Sequence, residues 1–243
     1  MRVDCLDSRD DLIGLELHDK TVVVIDVLRA SSVMVEAFKN GAKAMVPVET
    51  VEDAFDQYHQ LLSQGYQVKL CGEREANKVP GFHFGNSPLE YHRKYVEDHI
   101  LIHTTTNGTQ TIKAADQGQM ILMASMHNTQ GIAQALINAN QDVVIVCSGT
   151  HRQFSMDDAV CAGRIIDHLM EKQKLDLSDK GHGVHQLYQI AKTDYHDFLK
   201  GKCLHYDLLL QKGLTDDLDY CFNEDPIPLV PSYYQGQIRL SND

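Results

Sequence analysis

The residues best suited to chemistry follow short apolar runs of the kind that form buried strands. Asp26 and Arg29 follow one run, and Glu73 and Arg74 follow another. A carboxylate can hold a divalent cation such as Mg²⁺, and a guanidinium beside it can bind a phosphate or a sulfonate. Both pairs therefore indicate metal-assisted phosphoryl transfer. The alternative is structural, with each acid capping its own loop and forming an ion pair with the neighbouring arginine.

Two further loops carry amides, hydroxyl groups and glycines just ahead of predicted helices. Their candidate substrate-binding residues are Asn86, Ser87, Thr106, Asn107, Gly108 and Thr109. Backbone N–H groups at the start of a helix, together with hydroxyl groups, suit a tetrahedral anion. Neither loop ends in the Gly-Lys-Ser/Thr of a nucleotide-binding P-loop. The structural alternative is an exposed surface loop around Asn86 and Ser87, and a simple Asn-Gly turn with a threonine cap at 106–109.

A third acid, Asp158, lies at the beginning of another predicted helix, three residues after Ser155. This spacing is that of a capping box, in which the acidic side chain stabilises the first turn of the helix. Asp158 is therefore either a helix cap or a candidate metal ligand.

The elements that position these loops alternate between short apolar runs and helical patterns. This alternation predicts an α/β fold, with a parallel or mixed sheet flanked by helices. Strands are predicted at 22–27, 44–48, 67–71, 100–104, 120–123 and 143–147, and helices at 31–39, 51–63, 110–115 and 129–138. In such folds ligands collect at the carboxyl ends of the strands, where the candidate residues lie.

The order of elements also suggests an internal duplication of a β-α-β-α-β unit. Gly41 and Gly118 would be equivalent residues of the two units, and so would Cys71 and Cys147; the two pairs have nearly the same separation in sequence. The repeats would span 18–96 and 97–170 of a single unit, 1–243, and the segment 171–243 would form a helical cover. Loops 26–32 and 104–109 would then face each other across a pseudo-dyad and form a cleft. The alternative is that two unrelated β-α-β-α-β stretches look alike.

Composition limits the partners and the compartment. The 243-residue chain has a formal net charge of -12, which argues against nucleic acid or an anionic membrane as a partner. Six scattered cysteines without a C-x-x-C pair favour reduced thiols. The first twenty residues lack the apolar core of a signal peptide, and the longest apolar stretch, 21–28, is too short to cross a bilayer. We therefore predict a cytoplasmic protein that binds a small anionic substrate. Whether it forms a homo-oligomer is left open.

Five motifs, in order along the chain, strongly resemble those of the 2-phosphosulfolactate phosphatases. They lie at 24–30, 72–74, 85–90, 105–109 and 154–163, and the resemblance continues through 205–221 and 228–230. The resemblance implies an α/β phosphatase that needs Mg²⁺ and converts 2-phosphosulfolactate to sulfolactate and phosphate, a step towards coenzyme M. It also implies a pocket among the motif loops.

Three departures from the family pattern leave the substrate open. His83 stands where the family more often has aspartate, and Glu75 with Ala76 replaces a usual glycine pair. His151 with Arg152 replaces a small turn that contains glycine. Arg152 would add a positive contact, which leaves open the acid group that is recognised beside the phosphate.

The resulting hypothesis assigns catalysis to Asp26, Arg29, Glu73, Arg74 and Asp158. The three acids would hold Mg²⁺, which would activate a water molecule, and the two arginines would neutralise the substrate. The turn at 106–109 would position the ester through its N–H groups. The alternatives are a phosphatase for another phospho-hydroxy acid, a metal-dependent lyase or transferase, and a non-catalytic anion-binding module.

Overall fold

The computed structural model describes residues 1–240, and eleven strands of this part of the chain form one sheet. The strands are β1 (Arg2–Leu6), β2 (Lys20–Ile25), β3 (Ala44–Pro47), β4 (Val68–Arg74), β5 (Asn77–Lys78), β6 (Ile100–Thr104), β7 (Met120–Ala124), β8 (Asp142–Cys147), β9 (Asp176–Leu177), β10 (Pro231–Tyr234) and β11 (Gln237–Leu240). The helices are α1 (Ala30–Lys39), α2 (Val51–Ser63), α3 (Arg93–Val96), α4 (Gly108–Ala114), α5 (Thr129–Ala139), α6 (Met156–Met170), α7 (Asp179–Ala191), α8 (Tyr195–Leu199), α9 (Leu204–Gln211) and α10 (Thr215–Cys221).

The sheet consists of two mainly parallel halves joined by an antiparallel hairpin, and β5 adds an antiparallel edge to β4. Its strand order is β5-β4-β6-β3-β11-β10-β7-β2-β8-β1-β9. Strands β3 and β4 run parallel to β6, while β2 runs parallel to both β7 and β8. The β10–β11 hairpin pairs antiparallel with β7 on one side and with β3 on the other. The predicted α/β fold with a mixed sheet is confirmed.

Both faces of the central strands are buried, which explains why β2 reads as a continuous apolar run. Val23 and Ile25 pack into a core that includes residues of α5, α6 and α7. Val22 and Val24 pack into a second core, which includes residues of α1 and α4. A third cluster lies between α2 and strands β3, β4 and β6. Within residues 1–240, no helix is long and apolar enough to span a membrane.

The strand order is symmetric about the hairpin. When β2 is exchanged with β6, β3 with β7, β4 with β8 and β10 with β11, the order from β4 to β8 read from the other end is unchanged. This arrangement is compatible with a duplicated unit whose first strands have changed places, although the duplication itself stays a prediction. The sequence analysis predicted helices in the C-terminal segment and missed its hairpin, which completes the middle of the sheet.

Candidate active site

The loops that follow β2, β4, β6 and β8 surround a cavity of about 110 Å³, which α9 helps to close. Six of the predicted site residues line this cavity: Asp26, Arg29, Glu73, Asn86, Thr106 and Asn107. Its other lining residues are Leu28, Glu75, Ala76, Thr105, Thr150, His151, His205 and Leu208. The chain therefore brings together the four loops that the sequence indicated, together with a helix from the C-terminal segment.

Asp26 is a buried carboxylate of this cavity, as is Glu73, and each is 8% exposed. Oδ1 of Asp26 accepts a hydrogen bond from the backbone N–H of Ala30 at 3.1 Å, whereas Oδ2 receives none from residues 1–240. Burial raises the pKa of Asp26 to about 6, although the positive charge of His205 opposes this rise. Asp26 thus has one oxygen fixed and one left for a ligand.

The turn after β6 lies directly against Asp26. A Cβ at Gly108 would stand 2.7 Å from Oδ2 of Asp26 and 2.8 Å from Cβ of Ala30, so only glycine fits. Thr105 and Thr109 each donate a backbone N–H to the hydroxyl of the other at 3.2 Å. Thr109 is fully buried, so it shapes the turn and does not reach the cavity. The two loops predicted to face each other are in contact here.

Glu73 ties this turn to the loop after β4. Its Oε1 accepts the N–H and the hydroxyl of Thr106, each at 2.9 Å, and its Oε2 accepts the N–H of Ala76 at 2.8 Å. Arg74 donates to the carbonyl oxygens of Glu73 and Glu49 and to Oγ1 of Thr104. Arg74 is not among the residues that line the cavity. The predicted acid–base pair therefore positions the loops, and only its acid reaches the cavity wall.

Arg29 is the cationic side chain of the cavity wall. It is 3% exposed, forms an ion pair with the buried Asp217 of α10, and donates through Nη2 to the carbonyl of Ala76 at 3.2 Å. Ser87 donates to the second oxygen of Asp217 at 2.5 Å. Asn86 accepts a hydrogen bond from Nε2 of His103 at 3.0 Å, and its amide NH₂, at the cavity wall, has no hydrogen-bond partner among residues 1–240.

Asp158 lies behind the cavity. Its two oxygens accept the backbone N–H groups of Val27, at 2.8 Å, and of Gly149, at 3.1 Å. Burial raises the pKa of Asp158, and the charges of Asp157 and Asp26 add to this rise. Among residues 1–240, no group of three or more His, Cys, Asp and Glu side chains is placed to hold a metal. The predicted trio of ligands is therefore not assembled as one metal-binding group.

A smaller ligand set still fits Mg²⁺. This ion usually keeps several waters and binds through one or two carboxylates together with oxygens of the substrate phosphate. Asp26, with its free oxygen at the cavity, meets this requirement. Glu73 and Asp158 use both of their oxygens on donors of the protein.

Sequence reasoning gave no role to three residues that shape this site: His205, Asp157 and Asp217. His205 lines the cavity, Asp157 lies beside it, and Asp217 holds Arg29. Asp157 lies within the motif at 154–163, whereas His205 and Asp217 are distant in sequence from the loops they meet. The resemblance across 205–221 was the one signal that pointed to this segment.

Comparison with known proteins agrees with the geometry of the loops. A family model for 2-phosphosulpholactate phosphatase matches residues 8–236. The chain belongs to the 2-phosphosulfolactate phosphatase family. The probable 2-phosphosulfolactate phosphatase of Clostridium kluyveri is 40% identical over 241 residues, which cover 99% of this chain and 98% of that protein. The proteins of the same name from Clostridium novyi and Clostridium beijerinckii are 40% and 36% identical, each over 98% of this chain and 99% of their own length.

Two of the three departures that the sequence analysis inferred from the resemblance, at 75–76 and 151–152, lie where the backbone is left-handed. Glu75, Ala76, His151 and Arg152 have φ angles of 52°, 61°, 53° and 62°. Glycine adopts this conformation at lower cost than other residues, which is a physical reason to expect glycine at these two turns. Glu75, Ala76 and His151 line the cavity, so the departures alter its wall. His83 lies outside it and accepts the backbone N–H of Leu70 at 3.0 Å.

Proposed function

We propose that the protein hydrolyses the phosphate ester of a small acidic metabolite, most directly 2-phosphosulfolactate, and releases sulfolactate and phosphate. The observation that carries the proposal is the buried Asp26, whose free carboxylate oxygen shares a small cavity with the guanidinium of Arg29. Membership of the 2-phosphosulfolactate phosphatase family supports the choice of reaction and ester.

The charges of the cavity wall favour a bound Mg²⁺. Three acids, Asp26, Glu73 and Glu75, line the cavity, and the charge of Arg29 is already offset by Asp217. A phosphate ester that also carries a sulfonate would be repelled by this surface without an added cation. We assign Mg²⁺ to Asp26, where it would supply positive charge to a phosphoryl oxygen and lower the pKa of a bound water.

The remaining residues bind and orient the ester. Arg29 keeps N–H groups that no acceptor within residues 1–240 uses, and these would bind the phosphate or the sulfonate in a charge-assisted way. The side chain of Asn107 makes no hydrogen bond within residues 1–240, and it lines the cavity with the free NH₂ of Asn86. These donors would hold the ester beside Asp26 in a fixed orientation, which lowers the entropic part of the barrier.

The test is phosphate release from 2-phosphosulfolactate, phospholactate and phosphoglycolate, with Mg²⁺ and with EDTA. Wild-type protein is expected to release phosphate from 2-phosphosulfolactate only with the metal. Asp26→Asn should lose this activity, and Asp19→Asn, which changes an exposed acid, should keep it. If the protein prefers another ester, phosphate-ester hydrolysis remains the proposed reaction and only the proposed substrate changes. Thermal stabilisation by phosphate without turnover of any ester would favour the anion-binding alternative.

Three predictions about the cellular setting rest on composition and resemblance alone. They are the cytoplasmic location, the lack of a nucleic-acid partner, and a place for sulfolactate on a route to coenzyme M. Size-exclusion chromatography of the purified protein would decide whether it forms a homo-oligomer.

A further inference from the structure

His205 is the histidine of the cavity that has an acidic partner. It lies in α9, 19% of its side chain is exposed, and it lines the same cavity as Asp26. Its Nδ1 is 3.8 Å from Oδ2 of Asp157, while its Nε2 makes no hydrogen bond within residues 1–240. His151 also lines the cavity, but it is exposed and has no carboxylate partner in the described chain.

Asp157 is held firmly enough to orient the ring. It is 1% exposed, and its Oδ1 accepts a hydrogen bond from Oγ of Ser155 and another from Sγ of Cys203 at 3.5 Å. Its Oδ2 is left to face His205. The 3.8 Å contact is an ion pair and not a hydrogen bond; it places Nδ1 of His205 on the side of Asp157 and leaves Nε2 as the nitrogen that can meet a ligand in the cavity.

We infer that His205 is the general acid of the phosphatase reaction, with Asp157 as its positioning residue. This inference rests on the proposed function. The bond between phosphorus and the ester oxygen breaks, its electron pair passes to that oxygen, and Nε2 of His205 donates a proton to it. Sulfolactate then leaves as the alcohol. A water oxygen forms the new bond to phosphorus, and the proton that this water loses restores the protonated histidine.

The need for an acid depends on the leaving group, and this dependence provides the test. An alkoxide such as that of sulfolactate leaves slowly unless it is protonated, whereas the acetate of acetyl phosphate leaves without help. His205→Gln is expected to lower kcat for 2-phosphosulfolactate by about 10² to 10⁴ while KM changes little. The same variant should lower kcat for acetyl phosphate less than about tenfold, and imidazole should restore part of the activity of His205→Ala.

His185→Gln is the matched control, because Nε2 of His185 pairs with Oδ1 of Asp167 at 2.8 Å away from the cavity. It should leave both reactions unchanged. Asp157→Asn should lower kcat for 2-phosphosulfolactate, and the double variant with His205→Gln should be no slower than His205→Gln alone. Circular dichroism of each variant would show that it is folded.

Equal losses on both substrates, a loss confined to KM, or no rescue by imidazole would overturn the role of His205. In all of these cases wild-type turnover would still support the proposed function. A wild-type protein that releases no phosphate from either compound would overturn the proposed function, and the role of His205 with it.

Discussion

The carboxylate of Asp158 accepts a hydrogen bond from the backbone N–H of Val27 over 2.8 Å. Its other oxygen accepts the N–H of Gly149, so one side chain from α6 joins the ends of β2 and β8. Asp26 directly precedes Val27, and the loop that follows Gly149 contributes Thr150 to the cavity. Asp158 therefore sets the distance between two walls of the site without lining it.

Asp158→Asn is expected to destabilise the protein without weakening metal binding. The amide NH₂ cannot accept the second backbone N–H, so the free energy of unfolding should fall by about 1–3 kcal/mol. Denaturant unfolding would measure the loss, and the Mg²⁺ concentration for half-maximal activity should not change. Asp142→Asn is the control, since its Oδ1 accepts the N–H of Arg2 at an exposed position. A tenfold higher Mg²⁺ requirement would instead show that Asp158 is a ligand.

Gly108→Ala is expected to abolish most activity. The added methyl group would lie 2.7 Å from Oδ2 of Asp26, so the turn must move away from the carboxylate. Gly183→Ala is the matched control, because this glycine is inside α7 and a Cβ there meets nothing within 4 Å. It should raise the free energy of unfolding by about 0.5–1 kcal/mol and leave activity intact. Phosphate release and denaturant unfolding of both variants would test the contrast.

The sequence was most informative about the fold where local pattern and burial coincide. The apolar runs that form β2, β7 and β8 could be predicted because both of their faces are buried. The β10–β11 hairpin could not, because Pro231 and two tyrosines in β10 give no clear alternation. Its place between β3 and β7 depends on pairing across the whole chain, which local periodicity does not encode.

The sequence could predict which loops form the candidate site, but it could predict less well what each side chain in those loops does. Residue types showed that Asp26, Glu73 and Asp158 follow or face strand ends, but they did not show which donors each carboxylate meets. All three acids turn out to accept backbone N–H groups, and Glu73 and Asp158 do so with both of their oxygens. Such contacts depend on loop geometry, and so do the distant contributions of His205 and Asp217.

Acid is expected to destabilise the protein through His103. This histidine is fully buried in β6, and burial lowers its pKa from 6.5 to about 4, although Glu73 opposes the shift. Between these two values the unfolded chain binds a proton that the folded protein does not, so stability falls as the pH drops. From pH 7 to pH 5 this one group should cost about 2 kcal/mol.

His103→Gln should therefore lose less stability between pH 7 and pH 5 than the wild-type protein does. His59→Gln, at an exposed position, should follow the wild type. Urea unfolding at both pH values would measure the difference. Part of the acid sensitivity should persist in His103→Gln, because burial also lowers the pKa of His127 to about 4. Equal pH dependence in all three proteins would contradict the assignment.

The ion pair between Arg29 and Asp217 should matter for both stability and activity, and the two effects can be separated. Asp217→Asn leaves the buried guanidinium uncompensated and should lower the free energy of unfolding by about 3–5 kcal/mol. Asp216→Asn changes an exposed acid of the same helix and should have almost no effect.

Replacing both partners, with Arg29→Met and Asp217→Leu, removes the buried charges together and should recover much of the stability. Activity should stay lost in this double variant, because the guanidinium that lines the cavity is gone. Recovery of phosphate release along with stability would show that Arg29 does not bind the ester.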